Sequence, residues 1–151
     1  MFNLVLGNPT LMGAFLLIGR LFMAAVFLTF GINKAIHTPQ IQQYMAAHNV
    51  AGGLVYPVIL VQIGCGVLVV LGYHTRFAAL MLAGFCIVAT ALFHADFNVQ
   101  GELAHFTKDF AIAGGFLFMI AYGPGPWSLD AYLAQAKPIA LSEQSGAFSR
   151  R

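Results

Sequence analysis

The sequence predicts an all-α integral membrane protein, folded as an antiparallel bundle of four transmembrane helices. Composition is the first reason, because 60% of the 151 residues are hydrophobic and only 8% are charged, whereas soluble domains carry about 25% charged residues. The second reason is that four apolar runs approach the roughly 20 residues that a helix needs to cross a bilayer core. Polar or Gly-rich segments separate these runs, so lipid is the solvent that this chain requires.

The four predicted spans differ in their polar content. The first contains Arg20, the second contains Gln62, the third has no charged residue, and the fourth carries Lys108 and Asp109 in its first turn. Together they make one transmembrane domain over the whole chain, 1–151. The apolar runs place the spans at residues 11–33, 54–73, 77–93 and 106–122.

The segment between the first two spans predicts a short interfacial amphipathic helix. Thr38 is placed as its N-cap and Pro39 at its first helical position. Side chains that can face the bilayer then recur at spacings of three and four, at Ile41, Tyr44, Met45 and His48. We expect this helix to lie along the membrane surface.

Tight turns and a Gly–Pro segment define the remaining connections. Residues 73–76 leave so short a turn that the second and third spans should be antiparallel neighbours. GPGPW at residues 123–127 ends the fourth span, and Ser128 is placed to cap a further short helix over residues 129–136.

The tail from about residue 138 is expected to be weakly ordered. The N-terminal segment lacks a basic region and a cleavage site and is expected to be retained.

The basic residues predict that both termini lie in the cytoplasm. Cytoplasmic loops are enriched in Lys and Arg, and one side of the membrane would carry Arg76, Lys137, Arg150 and Arg151. The other side would carry Lys34, and Lys108 beside acidic residues. Arg20 fits this orientation, because its long side chain could snorkel to the inner surface.

Polar side chains near the outer ends of the spans form a candidate binding layer. An imidazole with a pKa near neutrality can carry protons, and an amide or ammonium can donate to a quinone carbonyl. The lysines could equally be interfacial anchors, and the glutamine an interhelical hydrogen-bonding residue. The candidate residues of this layer are Lys34, Gln62, His94, Lys108 and Asp109.

A second polar layer lies near the inner ends. Arg20 and Arg76 are either snorkelling anchors or partners of Asp130. No metal site is predicted, because HxxxH, HExxH and CxxC spacings are absent, as are nucleotide-binding fingerprints. Cys65 and Cys86 are expected to be buried small hydrophobic residues.

Four segments carry further Gly-rich and polar signatures: GRLFMAAVFLTFGINKAI, QIGCGVLVVLGYHTR, ALFHADF and KDFAIAGGFLFMIAYGPGPWSLDAY. Together they resemble the DoxX family of small four-helix membrane proteins, and the resemblance covers about Leu16 to Tyr132. The polar positions of the family fall on Arg20, Lys34, Arg76, His94 and Lys108.

Two positions depart from the family pattern. Gln62 stands where members often have Glu, and Asp109 stands where they often have Asn. The missing carboxylate argues against direct proton transfer at Gln62, although its amide can still form hydrogen bonds. The Asp109 carboxylate could take over part of the role that Glu has in other members at the position of Gln62.

The resemblance implies a bacterial or archaeal inner-membrane protein, with links in some members to quinone-coupled sulfur oxidation or oxidative-stress systems. Three functions stay open: a quinone-binding subunit of a redox complex, a non-catalytic scaffold, or a small-molecule carrier. The first requires a membrane or periplasmic partner that carries the redox centre, so the chain is at most one subunit of an oxidoreductase. Homo-oligomers are compatible with each function. A net charge of +2 gives no reason to expect a nucleic-acid partner.

Overall fold

The computed structural model describes residues 8–94 and 96–136, and all the regular structure within them is helical. Four of the helices are long and apolar enough to cross a membrane, which confirms the predicted all-α transmembrane fold. The predicted weakly ordered tail lies outside the described residues, as does Lys137. The helices are α1 (Pro9–Ile36), α2 (Thr38–Ala47), α3 (Val55–Leu71), α4 (Thr75–Phe93), α5 (Glu102–Tyr122) and α6, at residues 129–136.

Helices α1 and α5 begin before the predicted apolar runs, whereas α3 lies within the predicted span of residues 54–73. The Asn8 side chain accepts hydrogen bonds from the backbone N–H groups of Thr10 and Leu11 at 3.0 and 3.3 Å, and Pro9 occupies the first turn. Helix α5 starts four residues before the predicted run, after Gly101 with a φ of +97°. Its first turn is polar, so hydropathy alone does not detect it.

Helix α2 is present, but its N-cap is His37 and not Thr38. The Thr38 hydroxyl instead donates to the carbonyl oxygens of Lys34 and Ala35 at 2.9 and 3.1 Å. It therefore satisfies the last turn of α1, and a single residue separates the two helices. The inward face of α2 is narrow, since only Met45 is buried.

The four spans close into a ring in which α1 packs on α3, α3 on α4, α4 on α5, and α5 back on α1. The predicted α3–α4 neighbours are therefore adjacent. Phe27 packs edge-on against Phe85 and Phe116 at the centre. Cys65 and Cys86 are buried and free, as the sequence predicts.

The outside of the bundle is apolar. Phe22 and Leu60, for example, are each 72% exposed, which is the arrangement that a lipid solvent requires. Glycines divide accordingly into two groups. Gly31 and Gly66 lie against neighbouring helices, whereas no atom approaches within 4 Å of the Cβ position at Gly64 or Gly84.

Candidate functional site

The end of α4 and the start of α5 bring together a set of ionisable side chains. His94 ends α4 and Glu102 begins α5, and the His94 Nδ1 lies 2.5 Å from the Glu102 Oε2. Each side chain is 22% exposed, so the pair is only partly hydrated. An imidazole and a carboxylate at this separation can share or exchange a proton.

Two more side chains extend this pair along α5. The His105 ring stacks on the His94 ring, with centroids 5.1 Å apart and planes at 19°. The Lys108 Nζ lies 3.3 Å from the His105 Nδ1. Glu102, His105 and Lys108 follow a spacing of three, which places them on one face of the helix. We call these four residues the His94 cluster, and the same end of the bundle the His94 end.

A cleft of about 650 Å³ opens beside this cluster. Tyr44 of α2 and His48, which follows the last residue of that helix, form one wall, and Phe93 stacks on Tyr44 with ring centroids 5.5 Å apart. Glu102 contributes its polar floor. Burial and the nearby Glu102 charge both raise the pKa of the Tyr44 phenol, so that this hydroxyl stays protonated and can donate a hydrogen bond. The cleft thus combines flat aromatic surfaces with a hydrogen-bond donor and two carboxylates, those of Asp96 and Glu102, and the second of these pairs with His94 beside the cleft.

Asp109 is placed deeper in the bundle and has its own partner. The Thr90 hydroxyl of α4 donates to the Asp109 Oδ2 at 2.8 Å, and Thr90 is fully buried. The Lys108 Nζ lies 4.0 Å from the other carboxylate oxygen. The predicted Lys–Asp pair is therefore joined to the His94 cluster through Lys108.

Gln62 and Lys34 do not join this group. Gln62 is 3% exposed and its Oε1 has no hydrogen-bond partner among the described residues. Lys34 lies over the Phe30 ring, with its Nζ 5.5 Å from the centroid, and forms no ion pair within residues 8–94 and 96–136. Three of the five predicted residues of this layer thus meet.

The inner polar layer forms a structural clamp. Arg20 does not snorkel to water, since it is 3% exposed. Its Nη1 and Nη2 donate to the carbonyl oxygens of Pro124 and Trp127 at 3.0 and 2.9 Å. The loop after α5 has folded back beneath α1 and supplies these acceptors.

Asp130 completes this clamp by capping α4. Its carboxylate accepts hydrogen bonds from the His74 N–H at 2.8 Å and from the Thr75 N–H and hydroxyl at 3.0 and 2.9 Å. Burial alone would raise the Asp130 pKa, but these hydrogen bonds outweigh it and the pKa is lowered. The Asp130 N–H also donates to the Gly72 carbonyl at 2.8 Å. Asp130 therefore joins the start of α6 to the turn between α3 and α4.

Arg76 remains exposed, and in the part of the chain that the structure describes its side chain has one weak hydrogen bond, from its Nη2 to the Ala121 carbonyl at 3.5 Å. It is not paired with Asp130 among the described residues. Ser128 caps α6 as predicted, accepting a hydrogen bond from the Ala131 N–H at 3.2 Å.

Glu102 and Tyr44 are the functional candidates that sequence reasoning missed. Glu102 lies in what reads as a polar loop, and Tyr44 in what reads as the apolar face of an interfacial helix. The spacing of three from Glu102 through His105 to Lys108 is the signal that could have identified the first. Nothing along the chain indicates that Tyr44 would face Glu102.

Comparison with known proteins gives a consistent set of relatives. A family model described as DoxX matches residues 15–95. "Inner membrane protein YqjF" of Escherichia coli (strain K12) is 38% identical over 117 residues, covering 78% of this chain and 90% of that protein. "Inner membrane protein YphA" of the same organism is 30% identical over 122 residues, covering 76% and 87%. No solved structure matches. The family match contains Arg20, Gln62 and His94 and ends before Glu102.

Proposed function

Because the chain belongs to the DoxX family and is an integral inner-membrane protein of that family, we propose that it binds quinone as one subunit of a membrane redox complex. The observation that carries this proposal is the aromatic cleft beside the His94–Glu102 pair. Bound quinone would supply a lipid-soluble carrier of two electrons and two protons. The electrons pass to or from a membrane or periplasmic partner protein.

The residues of the cleft fit a quinone headgroup. Ligand pockets typically have volumes of roughly 300–1,000 Å³ and apolar walls with few polar groups, and the cleft of about 650 Å³ lies in this range. Tyr44 and Phe93 offer stacked ring faces, and the protonated Tyr44 hydroxyl can donate to a carbonyl oxygen. The cleft lies at one end of the spans, where a quinone can enter from the lipid.

The His94–Glu102 pair supports the proton chemistry that such a ligand needs. An imidazole in hydrogen-bond contact with a carboxylate can pass a proton to it or accept one from it. His105 and Lys108 extend the pair towards exposed positions on α5. Protons can thus reach the cleft from solvent without crossing the apolar centre of the bundle.

The test is binding of a short-chain quinone to the full-length protein in lipid nanodiscs, measured by isothermal titration. His94→Gln should weaken binding about tenfold or more, because Glu102, which lines the cleft, loses its charge-assisted hydrogen bond to His94 and is no longer held in place; such a bond contributes about 1.5–3 kcal/mol. Tyr44→Phe should weaken it less, since the ring face is kept.

His37→Gln is the matched control, because His37 lies at the same end and bonds only to its own helix, at Asn33 O. Equal affinity for the His94 and His37 variants would refute the cleft as the quinone site. If neither variant nor wild type binds quinone, while a stable partner co-purifies from native membranes, the protein is a scaffold. Uptake of a solute into liposomes that contain the protein but no quinone would instead indicate the carrier function.

A further inference from the structure

A second cavity, of about 710 Å³, lies at the opposite end of the bundle. We call this the Arg76 end, because α4 begins there, 18 residues before it reaches Phe93. The turn between α3 and α4, the last turn of α5 and the loop after it form its walls. Its charged and titratable lining residues are His74, Arg76, Tyr122 and Asp130. The proposed quinone site uses none of them.

The cavity presents a free positive charge. The Asp130 carboxylate keeps its negative charge, but both of its oxygens accept hydrogen bonds from His74 and Thr75, and the buried Arg20 guanidinium attracts it. Arg76, in contrast, is exposed, and within residues 8–94 and 96–136 its side chain has only the 3.5 Å contact with a carbonyl oxygen. Most of the five N–H donors of its guanidinium are therefore available to an anion.

The backbone adds donors at the same place. The first turn of an α-helix leaves N–H groups without intrahelical acceptors, and Asp130 occupies the one on Thr75. Within residues 8–94 and 96–136, the N–H groups of Arg76 and Phe77 have no acceptor outside their helix. The positive end of the helix dipole favours an anion beside them.

Apolar side chains flank these donors and face the lipid. Phe77 is 58% exposed, and Tyr122 is 76% exposed and stacks on Phe118 with ring centroids 6.5 Å apart. An anion that carries acyl chains could place its phosphate at Arg76 and its chains along these rings. A soluble phosphate would leave that surface unused.

From this arrangement we infer that the Arg76-end cavity binds the phosphate headgroup of an anionic phospholipid. Arg76 holds the phosphate oxygens through its planar fork of donors. Phe77 and Tyr122 contact the first segments of the acyl chains. Phospholipid thereby fills the space between the start of α4 and the loop that Arg20 and Asp130 hold.

The experiment is native mass spectrometry of the full chain released from nanodiscs that contain equal amounts of dioleoyl phosphatidylglycerol and dioleoyl phosphatidylcholine. Wild-type protein should retain phosphatidylglycerol preferentially. Arg76→Gln should lower that preference about fivefold, which is the effect of one basic residue at an anionic lipid surface. Arg76→Lys should give an intermediate loss, because charge remains but the fork does not.

Lys108→Gln is the control, since it removes an equal charge from an exposed side chain at the His94 end. Equal preference in wild type and Arg76→Gln would overturn the inference, as would an equal loss in Lys108→Gln. A separate measurement adds millimolar inorganic phosphate to the protein in neutral detergent. Stabilisation by phosphate that depends on Arg76 would assign the site to a soluble anion and overturn the lipid assignment.

Discussion

Gln62 and Asp109 are two polar residues of the same bundle that differ in their hydrogen bonding. The Asp109 carboxylate accepts a hydrogen bond from the buried Thr90 hydroxyl. Gln62 is more deeply buried than Asp109, at 3% against 20% exposed, and its Oε1 has no hydrogen-bond partner within the described chain. A buried polar group without a hydrogen bond costs about 1–3 kcal/mol. Gln62 therefore lowers the stability of the free protein, and either an internal water or a ligand would relieve that cost.

Replacing Gln62 with leucine should leave the free energy of unfolding unchanged or raise it by about 1 kcal/mol, because the buried amide and its desolvation cost are removed. Thr90→Val should lower it by about 1–3 kcal/mol, because the Asp109 carboxylate loses its donor. Thermal unfolding in detergent, followed by circular dichroism, measures both. A loss in Gln62→Leu as large as that in Thr90→Val would show that Gln62 is fully hydrogen-bonded in the folded protein.

At the scale of helices, the turn between α3 and α4 determines how the Arg76 end is assembled. Gly72 ends α3 with a φ of +67°, a conformation that costs other residues about 1–2 kcal/mol. A Cβ at this position would lie 2.5 Å from the Arg20 Nη1 and 2.5 Å from the Ser128 Cβ. The absence of a side chain at Gly72 thus allows α1 and the loop before α6 to close on the turn.

Gly72→Ala should therefore lower the free energy of unfolding by about 2 kcal/mol or more, from the backbone strain together with the overpacking. Gly84→Ala in α4 is the matched control, since the Cβ would face open space and alanine favours the helix. The melting temperature of Gly72→Ala should be lower than that of the wild type. The melting temperature of Gly84→Ala should be equal to that of the wild type or higher. Equal melting temperatures would contradict the close packing described for this turn.

At the scale of the whole molecule, the two ends of the bundle differ in chemistry. The orientation of the protein in the membrane decides which end faces the cytoplasm and which faces the periplasm. The His94 end holds the His94 cluster of ionisable side chains and the aromatic cleft. The Arg76 end holds a clamp and a cavity lined by Arg76. The positive-inside rule predicts that the Arg76 end faces the cytoplasm, and the proposed quinone site would then exchange protons with the periplasm.

Cysteine labelling tests this orientation. In intact cells, a membrane-impermeant maleimide should label Gln100→Cys, in the loop at the His94 end. Gln135→Cys in α6 should react only after permeabilisation. The native Cys65 and Cys86 are 8% and 4% exposed and should add little background, which the wild type measures directly. The reverse labelling pattern would invert the topology and place the cleft on the cytoplasmic side.

The sequence by itself determined the solvent of this protein and the number of its spans. Hydropathy is additive along the chain, and a bilayer sets the length of each apolar run, so the four spans follow without any tertiary information. The cap that Ser128 provides for α6 could also be predicted, because it depends only on residues close to it in the sequence. The misplaced cap at Thr38 shows the limit of such signals, because a hydroxyl can equally bond to the helix that precedes it.

Only the tertiary structure decided which polar side chains meet. Pairing depends on the rotation of each helix about its axis and on the path of the loops, and neither is encoded in local composition. The rotation of the helices leaves the Gln62 Oε1 without a hydrogen-bond partner among the described residues and brings Asp109 to Thr90. The loop after α5 brings two carbonyl oxygens to Arg20. From its position along the chain alone, the Arg20 side chain would be expected to reach the membrane surface.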